Sequence, residues 1–136
     1  MNIEIGTENA VSTVVVETNI ASRAKSGTLP VFATPCMIAL MEQAAAELVQ
    51  KSLGDGSTTV GIQMNVSHLA ATAIGATVTA TAKVTAVDRR KIDFEVTAFD
   101  NAGIIGKGEH TRFVVDTEKF MAKAEERKKL VSEANA

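Results

Sequence analysis

The amino-acid sequence predicts an α+β fold in which one long central helix packs against a curved antiparallel sheet of about five strands. An apolar segment with helical periodicity, residues 34–51, follows a single stretch rich in β-branched residues. The strands predicted after it are separated by short polar turns, whereas a parallel crossover needs a dozen or more residues. One apolar helix on one face of such an antiparallel meander is an α+β arrangement.

The predicted central helix has signals at both ends. Thr34 is the expected N-cap, because its hydroxyl can accept a hydrogen bond from a free amide of the first turn. Pro35 is expected at the first helical position, where no N–H is needed, and Gly54 closes the pattern. A polar stripe indicates one solvent-facing side, and the other positions are mostly apolar: the stripe is Gln43, Glu47, Gln50 and Lys51, and the apolar set is Ile38, Leu40, Met41, Ala44, Ala45, Leu48 and Val49.

Five stretches are predicted as strands, and they cover residues 11–18, 58–66, 77–86, 92–98 and 104–115. Strict alternation assigns the side chains of each strand to two faces. On the second strand, one face is predicted to carry Val60, Ile62, Met64 and Val66. The third strand turns Val78, Ala80, Ala82, Val84 and Ala86 one way, and these small residues suit close approach of the Ala-rich helix.

Two segments remain outside these elements. Residues 20–33 are predicted as a long loop ahead of the helix, and loops of this length in compact domains are often functional. Within it, Phe32 either covers a ligand pocket or packs as a hydrophobic staple before the helix. Residues 118–136 are highly charged and are predicted as a helical tail anchored by Phe120.

Composition limits the classes of function. At 136 residues the chain is predicted to be a single domain, residues 1–136. A formal net charge of −2 and the absence of Trp and Tyr argue against nucleic acid as a partner. The single cysteine, Cys36, cannot form an intrachain disulfide, and no Cys/His spacing indicates a metal site. The N-terminal segment lacks a basic signal region and no apolar run reaches ~20 residues, so a cytoplasmic location away from membranes is expected.

Glu42 is the polar exception on the apolar side of the helix. Its helical neighbours are Ile38, Ala45, Ala46 and Val49. Burial of an unpaired carboxylate costs several kcal/mol or raises its pKa. The residue therefore lies either at the margin of the polar stripe or in a cleft where its carboxylate has a purpose.

Two histidines offer a second ionisable group. His68 has the same parity as Met64 and Val66, which predicts a position at the end of a strand on its apolar side. A lone histidine there is commonly a core residue, but the helix and sheet are expected to bring His68 towards Glu42, and a nearby Thr would complete a group able to act on a carbonyl. His110 has polar and glycine-rich neighbours and is interpreted as structural or peripheral.

Four blocks of the sequence closely resemble the fluoroacetyl-CoA thioesterase and its relatives. The blocks are residues 31–34, 37–42, 66–75 and 106–112, with matching separations between them. The resemblance implies a hotdog fold, in which an antiparallel sheet wraps a long helix and subunits pair into homodimers. It also implies a catalytic trio of Thr34, Glu42 and His68, with Gly61 and Arg112 in contact with an acyl-CoA substrate. No cofactor is expected, because CoA is part of that substrate.

One segment departs from the family pattern. Selectivity for fluoroacetate depends in the family on aromatic residues ahead of the catalytic Thr, and residues 26–32 contain only Phe32. The prediction is therefore a thioesterase for another, short-chain acyl-CoA. A non-catalytic acyl-CoA-binding protein on the same fold is the alternative. The nature of the thiol carrier, the pairing of dimers into tetramers and the sharing of sites between subunits stay open.

Overall fold

A computed structural model describes residues 1–134; the last two residues of the predicted tail lie outside the described residues. The described residues form three helices and five strands, with a short 3₁₀ turn at Glu17–Asn19. The strands are β1 Glu8–Val14, β2 Ser57–His68, β3 Thr77–Asp88, β4 Lys91–Asp100 and β5 Gly103–Asp116, and the helices are α1 Ala21–Ala24, α2 Thr34–Gln50 and α3 Thr117–Ala134.

The strands form one antiparallel sheet in the order β1-β3-β4-β5-β2. The tight connections after β3 and β4 give the predicted meander, and β2 lies at an edge of the sheet. Register shifts interrupt the β2–β5, β3–β4 and β4–β5 ladders, and such bulges increase the local twist. The predicted α+β architecture of one long helix on a five-stranded sheet is confirmed.

Helix α2 packs on one face of this sheet and forms the centre of the core. Its buried residues are Met37, Leu40, Met41, Ala44, Ala45, Leu48 and Val49, and the predicted polar stripe is exposed. The facing strands contribute the alternating residues of β3 and β4: Val78, Ala80, Ala82, Val84, Ile92, Phe94, Val96 and Ala98. The alanines allow the close approach that the sequence predicted.

The ends of α2 differ from the prediction. The helix begins at Thr34, and its N-cap is Ala33, which makes no side-chain capping bond. The Thr34 hydroxyl bonds to His68 instead, and a side chain engaged across the fold cannot also cap its own helix. Pro35 is the second residue of the helix, and α2 ends at Gln50, ahead of Gly54.

Two strand assignments also require correction. β1 covers Glu8–Val14 instead of residues 11–18, because its partner β3 begins at Thr77, opposite Val14, and offers no ladder beyond that point. The predicted single face of Val60, Ile62, Met64 and Val66 is wrong, because a bulge between Gly61 and Gln63 reverses the alternation there. Ile62 is consequently exposed, whereas Thr59 is buried on the helix side.

The C-terminal tail is helical as far as Ala134, as predicted, but none of the side chains in α3 is buried. Asp116 Oδ1 accepts a hydrogen bond from the Lys119 amide at 3.0 Å and caps the helix start. Phe120 is 41% exposed, so the prediction that it anchors the tail is wrong. Charged residues occur on all sides of α3, so the helix has no continuous apolar stripe with which to pack on the sheet. Within residues 1–134, no helix has the length and apolar character needed to cross a membrane.

Candidate active site

The first group of predicted site residues joins the start of α2 to the end of β2. Thr34 is the first residue of the helix and His68 is the last residue of the strand. Thr34 Oγ1 and His68 Nδ1 share a hydrogen bond of 2.8 Å. Two of the three residues predicted as catalytic are therefore in direct contact.

The other ring nitrogen of His68, Nε2, is buried and has no hydrogen-bond partner among the described residues. Burial lowers the pKa of His68, and a backbone contact with Ala70 acts in the opposite direction. A lowered pKa favours the neutral ring near pH 7, and a neutral imidazole bonded to a hydroxyl can serve as a base or as a hydrogen-bond acceptor.

A surface cavity of about 260 Å³ adjoins this pair. Its wall includes Thr34, His68 and Phe32, together with small residues of the preceding loop and of the segment after β2: Ala21, Ser26, Ala70 and Ala71. Phe32 is 2% exposed and belongs to the hydrophobic core, so only part of its ring borders the cavity. Phe32 therefore lies in the core and also borders the cavity, and its contact with a ligand stays a prediction.

The second group surrounds Glu42, eight residues further along α2. Glu42 Oε2 lies 3.2 Å from Arg112 Nη1, in an ion pair whose arginine is buried and whose glutamate side chain is 42% exposed. Glu42 therefore lies at the margin of the core and also in a cleft, where it has a cationic partner. Its carboxylate borders a second cavity of about 230 Å³ with Gly61 and His110.

Arg112 is held by four hydrogen bonds within the protein. Its Nε donates to Thr59 Oγ1 at 2.8 Å and its Nη2 donates to the Thr59 carbonyl at 3.0 Å. Nη1 lies 3.2 Å from both Glu42 Oε2 and His110 Nε2. Burial lowers the pKa of Arg112, and the Glu42 carboxylate opposes this shift. These contacts direct the guanidinium inwards, towards Glu42. That Arg112 also contacts an acyl-CoA substrate stays a prediction.

Gly61 supplies the bare backbone next to this carboxylate. It lies directly opposite Arg112 in the β2–β5 ladder, and its own residue surface is exposed. A Cβ at this position would lie 2.6 Å from Glu42 Oε2 and 3.2 Å from His110 Cε1. A side chain here would displace the carboxylate or fill the space in front of it, so glycine keeps this space open.

Sequence reasoning missed two members of the second group. Thr59 shares the helix-facing side of β2 with Gly61, but strict alternation through the bulge assigned Val60 to that side instead. His110 was interpreted as structural or peripheral, yet its buried ring contacts Arg112 and borders the cavity beside Glu42. Its signal was available in the sequence, since residues 110 and 112 share one strand face. Among the described residues, no cluster of three or more His, Cys, Asp or Glu side chains has the arrangement of a metal site.

Comparison with known proteins identifies the family. The model of the fluoroacetyl-CoA-specific thioesterase family, FlK, matches residues 15–118. A curated fluoroacetyl-CoA thioesterase from Streptantibioticus cattleyicolor is 40% identical over 97 residues, which cover 71% of this chain and 70% of that protein. The chain belongs to the FlK family. Family membership makes it a thioester hydrolase.

Solved structures agree with this membership. The FlK thioesterase structure superposes with a TM-score of 0.87 at 32% identity, over 93% of this chain and 98% of FlK. A thioesterase-superfamily protein from Thermus thermophilus gives a TM-score of 0.89 at 25% identity, over 97% and 98% of the two chains. The fold is accordingly the hotdog fold that the FlK resemblance implied.

Proposed function

We propose that this protein hydrolyses short-chain acyl-CoA thioesters to the free acid and CoA, with Thr34, Glu42 and His68 acting at the reacting carbonyl. Water adds to the thioester carbonyl, the carbon–sulfur bond breaks, and the thiol leaves with a proton. The observation that carries the proposal is a half-exposed Glu42 carboxylate, held by buried Arg112 and facing the bare backbone of Gly61.

Each proposed role follows from the chemistry of its group. Glu42 and His68 act on the carbonyl and on the hydrolytic water, because a carboxylate and a neutral imidazole can both accept a proton. Thr34 supplies a hydroxyl already bonded to His68. Gly61 exposes the backbone to which the developing oxyanion can bind. The reaction needs no cofactor beyond the CoA of its substrate.

Two observations support a short acyl group. A crystal structure of one FlK variant holds fluoroacetate and CoA, and that of another variant holds acetyl-CoA; fluoroacetate and the acetyl group each have two carbons. The cavity next to Thr34 and His68 is small, about 260 Å³, and its lining also includes the apolar side chains of Val31, Phe32 and Leu69. Selectivity for fluoroacetate itself is not part of the proposal, because the loop ahead of α2 carries no aromatic ring besides buried Phe32.

The spacing of the two groups argues that one copy of the chain does not form the whole site. Thr34 and Glu42 are eight residues apart on α2, about 12 Å along the helix axis at 1.5 Å per residue. His68 and Gly61 are seven residues apart on β2, roughly 20 Å along an extended strand. Reacting groups need to approach to about 3–3.5 Å, so a single carbonyl cannot reach both groups in one copy.

A two-fold symmetric homodimer would join the groups. Antiparallel pairing of two β2 edges, centred between Met64 and Asn65, brings Gly61 opposite the partner's His68. Antiparallel α2 helices that cross at Ile38 bring Glu42 opposite the partner's Thr34. Such reciprocal contacts are a property of two-fold interfaces. An unpaired edge strand of 12 residues and an exposed Ile62 next to its bulge favour this pairing.

The activity is tested by incubating the protein with a panel of acyl-CoAs, from acetyl to long chain. A thiol-reactive dye measures the CoA thiol that hydrolysis releases. We expect turnover that declines with chain length and that falls by at least ~100-fold in Glu42→Gln, the scale of a lost catalytic group. Glu47→Gln is the matched control, because this glutamate lies on the exposed stripe of the same helix. A folded wild type that binds CoA and hydrolyses none of these thioesters contradicts the proposal.

Complementation tests the shared site. Mixing Glu42→Ala with His68→Ala subunits creates mixed dimers in which one site has every native residue, so random mixing should restore about a quarter of wild-type activity. Mixing Glu42→Ala with Arg112→Met is the control, since both residues belong to the same half and neither site is restored. No recovery in the first mixture, with mixed dimers demonstrated by mass spectrometry, contradicts a shared site.

A further inference from the structure

His110 occupies a fixed position behind the Glu42–Arg112 pair. It lies two residues before Arg112 on β5 and therefore faces the same side of the sheet. Its ring is 1% exposed and stacks on Phe94, with centroids 5.9 Å apart and an interplanar angle of 26°. Packing of this kind leaves the imidazole little freedom to rotate.

Both ring nitrogens of His110 have partners, and the partners define its protonation. Nδ1 lies 2.8 Å from the Gln63 carbonyl, which can only accept a hydrogen bond, so Nδ1 carries the proton. Nε2 lies 3.2 Å from Arg112 Nη1, which can only donate, so Nε2 presents its lone pair. The contacts therefore require a neutral ring in a single tautomer.

The acceptor on His110 orients the guanidinium of Arg112. Nη1 carries two hydrogens in the plane of the group, one for His110 and one for Glu42. Thr59 engages Nε and Nη2, so four of the five N–H bonds have partners. Because the plane is rigid, a fixed bond to His110 directs the remaining Nη1 hydrogen at the Glu42 carboxylate.

We propose that His110 is a positioning residue, which acts as a neutral hydrogen-bond acceptor that holds Arg112, and through it Glu42, in front of Gly61. The proposal rests on the proposed function, since it assigns a part in the same site. His110 does not touch the reacting atoms: both of its nitrogens are engaged, and its effect passes through Arg112.

The charges around the ring are consistent with this role. Arg112 on β5 and Glu42 on α2 face it directly, while Phe94 on β4 and the Gln63 carbonyl on β2 carry no charge. His110 also borders a cavity that is lined by the charged side chains of Lys91, Asp93, Glu95 and Glu109. A proton on Nε2 would point at an Arg112 N–H, so two donors would oppose each other. Burial lowers the pKa of His110 and helps to keep the ring neutral.

Two variants separate positioning from packing. His110→Phe keeps a ring against Phe94 but has no acceptor, whereas His110→Gln offers an amide oxygen near the position of Nε2. We expect His110→Phe to lower kcat by ~10- to 100-fold with KM within about twofold, the effect of a small displacement of a reacting group, and His110→Gln to recover part of the loss. Thr111→Val is the control, because it removes a 2.7 Å hydrogen bond to Asp93 from the neighbouring residue on the opposite face.

A double-mutant cycle shows whether the effect passes through Arg112. In an Arg112→Met background, His110→Phe should change kcat by less than about twofold, because the residue through which it acts is gone. An equal loss in both backgrounds overturns the proposal, as does a wild-type kcat in His110→Phe.

A measurement on the unaltered protein keeps the proposal testable even where a variant fails to fold. Ring-nitrogen NMR should show His110 as the Nδ1–H tautomer at neutral pH, and His68→Asn assigns its signals because the chain has only two histidines. The Nε2–H tautomer or a charged ring overturns the proposal. Since this readout needs no turnover, it is independent of whether the protein hydrolyses acyl-CoA.

Discussion

Arg112 Nη1 and Glu42 Oε2, 3.2 Å apart, connect the last strand of the sheet to the middle of the central helix. The arginine is buried and contacts the carboxylate from the side of the sheet, while the Glu42 side chain is partly exposed to solvent. This one-sided pairing fixes the carboxylate without covering it. A group held in that way is suited to meet a ligand that arrives from the open side.

Replacement of Arg112 by lysine should cost both activity and stability. Lysine keeps the charge, but its point-like ammonium cannot contact Thr59, His110 and Glu42 together. We expect kcat to fall by at least ~10-fold because Glu42 loses its orientation. Chemical denaturation should show about 1–3 kcal/mol of destabilisation, because buried hydrogen-bonding groups of Thr59 lose their partner.

Lys83→Met is the matched control for this change. The Lys83–Glu8 pair spans 4.0 Å between well-exposed side chains, so its loss should change the unfolding free energy by at most ~0.5 kcal/mol. If Arg112→Lys retains wild-type kcat, Arg112 does not orient Glu42.

Replacement of Gly61 by alanine should affect activity more than stability. The added methyl group would lie 2.6 Å from Glu42 Oε2, and this flexible end of the side chain would have to move. We expect kcat/KM to fall by ~10- to 100-fold, the scale of a displaced catalytic group. Thermal unfolding should shift little, because Gly61 does not have a positive φ angle.

Gly54→Ala provides the comparison, since a Cβ at Gly54 meets nothing within 4 Å. Its kinetics should equal those of the wild type. A Gly61→Ala enzyme with the same kcat/KM would show that the substrate does not approach this strand.

The features that the sequence predicted are those decided by local pattern. The apolar face of α2 and the alternation of β3 and β4 can be predicted without knowledge of distant contacts. Residues three or four apart share one face of a helix, and every second residue shares one face of a strand. His68 was predicted correctly to end a strand on the apolar side for the same reason. The family resemblance added the fold name, which periodicity alone does not provide.

The features that the sequence did not predict depend on contacts between distant residues. Thr34 has the identity of an N-cap, but its hydroxyl bonds to a histidine 34 residues away. The bulge at Gly61–Gln63 adds one residue to β2. A prediction by strict alternation takes no account of this extra residue and therefore assigns the side chains on one side of the bulge to the wrong face. Thr59 was missed as a partner of Arg112 because a hydrogen-bond network that joins two strands and a helix depends on contacts between distant residues. His110 was missed although its position on the same strand face as Arg112 could be read from the sequence.

Mild acidification should destabilise the protein through its two histidines. Burial lowers the pKa of both His68 and His110 below 6.5, so the unfolded chain takes up protons that the folded chain does not. The unfolding free energy should therefore decrease as the pH falls from about 7.5 to about 5.5. Asp100, whose pKa is lowered by hydrogen bonds from Thr72 and the Ala102 amide, contributes a further loss only below its ordinary value of 3.8.

Urea titrations at a series of pH values measure this slope. The double variant His68→Asn/His110→Phe should show a flatter dependence over the same range, whatever its absolute stability. A wild-type unfolding free energy that is constant or rises on acidification in this range contradicts the direction of both pKa shifts.

Replacement of Thr34 by valine should lower the rate of hydrolysis while it preserves the fold. Valine has the same shape, and the hydroxyl of Thr34 is on an exposed residue that does not cap its helix, so stability should change by no more than ~0.5 kcal/mol. His68 Nδ1 loses its 2.8 Å partner, and we expect kcat/KM for thiol release to fall by about 100-fold. Thr34→Ser keeps a hydroxyl at the same position and should retain a larger share of activity than Thr34→Val. Equal rates for the two variants would show that the hydroxyl has no part in hydrolysis and that Thr34 serves only to pack against His68.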